Sequence, residues 1–152
     1  MSPAPSNKKK RCSIVHISRK AEYAVLIMAY LAADDSNSPV PSREIAETYD
    51  LPQNLVPQLA SKLRKKGWVS GKPGPGGGLT LEVDPSQLSI REVVDTIENP
   101  IAIRDCLMSE NICSNSQDCP LREVWADAQK QLLDVLDSVS IKEMGNRLTN
   151  KS

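Results

Sequence analysis

No stretch of 18 apolar residues occurs in this 152-residue chain, so the sequence offers no membrane-spanning helix. The apolar run nearest the start, Cys12 to Ile17, is too short for the core of a signal peptide and is interrupted by His16. A cytoplasmic protein without membrane contact is therefore expected. Enzymatic hallmarks are missing as well. The glycine loop GKPGPGGGLT lacks the Gly-Lys-Ser/Thr of a phosphate-binding loop, and no dinucleotide fingerprint, nucleophile-base pair or paired acid-base carboxylates are found. The expectation is a protein that is not an enzyme and takes no small-molecule substrate. Net charge is also zero, which at first sight argues against a polyanionic partner.

The charges that are present are segregated. Residues 1 to 81 carry 12 Lys+Arg against 6 Asp+Glu, and residues 82 to 152 carry 7 against 13. Such asymmetry points to an amino-terminal part that meets a polyanion and a carboxy-terminal part that does not. The length suits one ordinary core, with an appended helical element at most.

Hydrophobic spacing organises the chain. Ser18 is placed to cap a helix through Ala33, and that helix is apolar on both flanks, so it needs packing partners on more than one side. Ser42 is read as the cap of a short helix. Asp50-Leu51-Pro52 then turns the chain into a second helix, roughly Asn54 to Lys66, with Leu55, Leu59 and Leu63 inward and Gly67 at its end. Pro57 is tolerated there if Asn54 is the N-cap, because proline then falls in the first turn. Two strands flanking the glycine loop follow, and a hairpin directly after a helix-turn-helix is a wing. Ser89 caps a further helix through Ile97. Leu121, Trp125, Ala128, Leu132, Val135 and Val139 then repeat at alternating spacings of four and three, the pattern of a helix that packs along another helix.

The expected fold is accordingly mainly α with a small β-hairpin wing. Its parts are a disordered basic tail at 1–13, a winged helix-turn-helix DNA-binding domain at 14–84, a connecting helix and cysteine loop at 85–120, a dimerisation helix at 121–145 and a tail at 146–152. In that frame Asn54 and Gln58 are candidates for base edges in a major groove. Lys62 and Lys65 are candidates for phosphates. Ser42, Lys72, Gly74 and Gly76 are candidates for the sugar-phosphate chain, the glycines letting the wing backbone approach it closely.

Three cysteines, Cys106, Cys113 and Cys119, fall within fourteen residues of polar, turn-forming sequence that offers them no apolar burial. Structural zinc prefers closely spaced cysteine pairs, and no Cys-x-x-Cys is present. A thiol-disulfide switch needs two of the three. An iron-sulfur cluster needs thiolates converging from such a loop. Inert cysteines are the remaining reading, and a small zinc- or cluster-binding redox protein is the non-regulatory alternative.

The motifs ISRKAEYAV, SKLRKKGWV, GPGGG and IREVVDTIE, with the cysteine triplet ahead of the long helix, resemble the bacterial iron-sulfur winged-helix transcription regulators of the IscR/NsrR family. The resemblance spans residues 17 to about 145. It implies a homodimer that binds double-stranded DNA at a palindromic operator, with affinity modulated by a 2Fe-2S or 4Fe-4S cluster. It implies that Cys106, Cys113 and Cys119 are the cluster thiolates. The position of the histidine ligand in some members is Arg122 here, which cannot ligate, so the resemblance points to Glu22 of the opposite subunit as fourth ligand. The wing arginine common in the family is Pro73 in this chain.

Overall fold

Ser18 stands in extended backbone and its hydroxyl accepts from the amide of Ala21, which starts helix α1 (Arg19–Ala33). The computed structural model of the chain describes residues 17–98, 100–104, 107 and 119–151. Helix α1 is the central element: Ala21, Ala24, Val25, Ile27, Met28, Ala29 and Leu31 are all buried, on both of its flanks. The remaining elements are α2 (Ser42–Thr48), α3 (Leu55–Lys65), strands β1 (Val69–Lys72) and β2 (Gly78–Leu81), α4 (Ile90–Ile97), α5 (Arg122–Ser138) and α6 (Ile141–Thr149). This is a mainly α fold with a two-stranded antiparallel wing, as expected.

Helix α3 begins after Asn54 and tolerates Pro57 as its third residue. Val56, Leu59, Ala60 and Leu63 face inward. Leu59 and Leu63 hold the expected inner places, while Val56 rather than Leu55 takes the first buried one, Leu55 being half-buried. Gly67, at φ 76°, ends the helix: its amide donates to Arg64 O and the Trp68 amide to Leu63 O, a Schellman arrangement. The chain is thereby aimed straight into β1, and Val69 pairs with Leu81 and Lys72 with Gly78. Val40 adds a bridge to Leu79 through two backbone hydrogen bonds of 2.9 and 2.7 Å, fastening the wing to the chain just ahead of α2.

Two expectations are corrected. Ser42 does not cap α2; Pro41 holds the cap position and makes no side-chain cap bond, and its carbonyl receives the amides of Glu44 and Ile45. The segment 121–145 is not one helix, and 146–152 is not simply a tail. Val139 is extended, Ser140 bridges to Ser89, and the Ser140 hydroxyl accepts from the Glu143 amide, so a new helix, α6, starts there. The backbone bonds Ile90 N to Val139 O and Ile141 N to Leu88 O hold this break against the start of α4.

Helix α6 is the second partner that the apolar α1 requires. It approaches so closely that a Cβ on Gly145 would lie 2.9 Å from Ala29 O and 3.1 Å from Ala33 N. Helix α5 is different, with no fully buried residue. Leu132, Leu133 and Leu136 rest on the chain's own core, while Leu121, Val124 and Val135 are 52%, 56% and 62% exposed. Among the described residues no helix is long and apolar enough to cross a membrane.

Candidate nucleic-acid interface

One turn of α3 every 3.6 residues sorts its side chains into three faces. The inner face is buried. The outward face carries Asn54, Gln58, Ser61 and Lys65, all exposed. Asn54 makes no capping bond, so its amide is available at the amino end of the helix together with Gln58. The candidates Asn54, Gln58 and Lys65 are thus exposed on one side of α3.

The flanks are engaged by neighbours. On one, the Lys62 ammonium donates to the carbonyl of Ile97 at the end of α4, at 3.3 Å, so Lys62 is turned toward α4 rather than outward. Lys65 and Lys66 share that hollow with Thr96. On the other flank, Pro57, Ala60 and Arg64 face the wing across a groove of about 260 Å³, whose opposite wall includes Ser42, Gly71 and Lys72. Gly74 and Gly76 form the exposed wing tip with φ of 87° and 72°, a conformation that disfavours residues with a Cβ. The Gly77 amide closes the tip on Gly74 O at 3.0 Å.

Arg64 is the residue that sequence reasoning passed over. A Cβ on Gly71 would lie 3.2 Å from its Nη1 and 3.4 Å from its Cζ, so the guanidinium lies against the bare backbone of β1. Gly71 was expected in the glycine loop but lies within β1, where a glycine marks a close approach, though not what approaches.

The helix-turn-helix is braced from behind. Tyr30 of α1 donates its hydroxyl proton to Glu44 of α2 at 2.6 Å and meets Tyr49 edge to face, with ring centroids 5.8 Å apart. That hydrogen bond, then desolvation, raises the Tyr30 pKa above its ordinary value. The Tyr49 pKa is raised by burial.

Of the expected cluster ligands, Cys106 and Cys113 lie outside the described residues. Cys119 carries a free, half-buried thiol directly ahead of α5, and its carbonyl accepts from the Arg122 amide at 3.1 Å. Glu22 is exposed in the first turn of α1. Among the described residues no three His, Cys, Asp or Glu side chains come together. The stem leading toward Cys106 is anchored: Ile101 is buried in the core, and the Ile103 amide donates to Gln129 Oε1 of α5 at 3.0 Å.

Residues 17–147 match the family described as Iron-dependent Transcriptional regulator, Rrf2. The chain is 30% identical over 132 residues to the HTH-type transcriptional regulator IscR of Klebsiella pneumoniae, covering 87% of this chain and 80% of that protein. Among solved structures it is similar to CymR, the global cysteine regulator of B. subtilis, with TM-score 0.73, 26% identity and coverage of 88% and 98% of the two chains. It is likewise similar to T. potens IscR, with TM-score 0.67, 26% identity and coverage of 90% and 88%. The helix-turn-helix, its wing and the elements behind them thus sit in a known setting, that of transcriptional regulators rather than enzymes, and the chain belongs to the Rrf2 family of DNA-binding transcriptional regulators.

Proposed function

We propose that the chain acts in the cytoplasm as a homodimer on a palindromic operator, and that an iron-sulfur cluster held by Cys106, Cys113 and Cys119 sets its affinity for that DNA. Glu22 of the partner subunit is the proposed fourth ligand. Thiolates and a carboxylate are donors that such clusters accept, and the half-buried thiol of Cys119 with the exposed carboxylate of Glu22 suits that donor set. When bound, the cluster supplies a redox-sensitive link among these side chains.

In this reading Asn54 and Gln58 take base edges, while Lys65, Lys72, Ser42 and the backbone at Gly74 and Gly76 take phosphates and sugars. Leu121, at the cap of α5, and Val124 and Val135 within it meet the same face of a second copy. Isologous contact of this kind suits a helix that has an apolar face left open after packing on its own core.

The observation that carries the regulatory half is the joint at the end of α4. The Ile97 carbonyl holds Lys62 of α3, and the Glu98 carboxylate accepts the Ser18 amide, at the start of the helix bearing Glu22, at 2.6 Å. The chain then runs through Ile101 and Ile103 toward Cys106. A change in how the cysteine segment is held is therefore felt at both α3 and α1. Coupling of about 1–3 kcal/mol through such a joint changes DNA affinity about 5- to 150-fold.

The free thiol of Cys119 also admits a second reading, a cluster-free regulator that senses oxidation through the same thiols, two of which suffice for a disulfide switch. Anaerobic titration of a promoter duplex with protein before and after iron chelation separates the two. The cluster reading expects a shift in affinity on chelation alone. A shift only after oxidant, with a disulfide on non-reducing electrophoresis, supports the thiol reading.

A further inference from the structure

We propose that Arg64, Ser42 and Lys72 form a clamp for one DNA phosphate in the groove between α3 and the wing. It rests on the DNA-binding reading above and adds to it a residue, Arg64, that neither periodicity nor motif had singled out. Four observations converge on it. Arg64 lies on the wing side of α3, off the outward face that reads bases, so it is placed to position DNA rather than to specify sequence.

Second, Gly71 leaves space for the guanidinium against β1, which limits the freedom of a long side chain before any ligand arrives. Third, Arg64 has no ion-pair partner among the described residues, in contrast to Arg43, Arg91 and Arg147, each of which has a carboxylate. A planar, permanently charged fork with free donors matches a phosphodiester. Fourth, the opposite wall of the groove supplies the Lys72 ammonium and Ser42, whose hydroxyl is left without capping duty because Pro41 holds that position. Two cations and a hydroxyl around an open groove recognise an anion. On the DNA-facing side of a winged helix that anion is a backbone phosphate.

The test uses the full chain, purified anaerobically, and fluorescence anisotropy on a duplex from its own promoter and on one of scrambled sequence, across a range of salt. Arg64→Ala is expected to weaken both duplexes alike, by roughly ten-fold or more, and to flatten the slope of log affinity against log salt by about 0.9. Arg64→Lys should keep the slope. Gly71→Val, which displaces the guanidinium and leaves the charge in place, should weaken binding, and should add nothing in the Arg64→Ala background. Arg147→Ala on α6 should be silent. Neutral methylphosphonate at single positions of the promoter duplex should weaken the wild type at one phosphate that Arg64→Ala no longer senses. Wild-type binding with an unaltered salt slope in Arg64→Ala, or fully additive Gly71→Val and Arg64→Ala effects, would overturn the clamp and leave DNA binding intact. No binding of either duplex by the wild type would overturn both.

Discussion

The ammonium of Lys62, on helix α3, donates to the carbonyl of Ile97, the last residue of α4. A cation at a helix C-terminus is favourably placed against the helix dipole. Because Glu98, the next residue, also holds the Ser18 amide, this short joint links α3 to the start of α1. Lys62→Met, which keeps the aliphatic stem, should cost about 0.3–1 kcal/mol in urea unfolding. It should also reduce the change in DNA affinity that chelation produces. An undiminished change would show that α3 is not coupled through this bond.

The open face of α5 predicts the oligomeric state. Val135→Glu places a charge in the proposed apolar contact between copies, where it would be desolvated without a partner. Sedimentation velocity should show a monomer, with loss of tight binding to a palindromic duplex and little change in thermal stability of the single chain. A dimer that survives both Val135→Glu and Val124→Glu would place the interface elsewhere.

The contact of α1 with α6 depends on a missing side chain. At Gly145 a Cβ would already press on Ala29 O, so Gly145→Leu should destabilise the chain by about 1–3 kcal/mol through overpacking, read from denaturant midpoints. The gain in helix propensity on replacing glycine, about 1 kcal/mol, offsets only part of this.

Tyr30 gives a prediction in pH. Its pKa is raised from 10.0, first by the hydrogen bond it donates to Glu44. A raised folded-state value means that this stabilisation is complete below pH 10 and is lost as pH rises through the folded pKa. Alkaline unfolding of Tyr30→Phe should therefore depend less steeply on pH above 10 than that of the wild type. Equal steepness would assign the alkaline loss to other groups.

What could be read from the chain in advance was mostly local. The caps Ser18 and Ser89, the end at Gly67 and the outward placement of Asn54, Gln58 and Lys65 depend on residues within a turn of each other, and sequence spacing encodes them directly. Ser42 misled because a serine before a helical run looks like a cap whether or not the preceding proline already holds that place. Helix α6 was missed because its justification, the close approach of Gly145 to Ala29, lies more than a hundred residues away in sequence. The Arg64–Gly71 contact escaped for the same reason on a smaller scale. It joins a helix to a strand across a turn, and no single-element periodicity reports it.

The central claim is that thiolates of the Cys106–Cys119 segment hold iron and inorganic sulfide, and it is tested most directly by assaying both per chain after strictly anaerobic purification. The account predicts iron and acid-labile sulfide in equal amounts in the wild type, sharply reduced in Cys106→Ala, Cys113→Ala and Cys119→Ala, with altered visible absorption in Glu22→Ala. Wild-type protein that carries neither iron nor sulfide, or that carries only zinc, would contradict it.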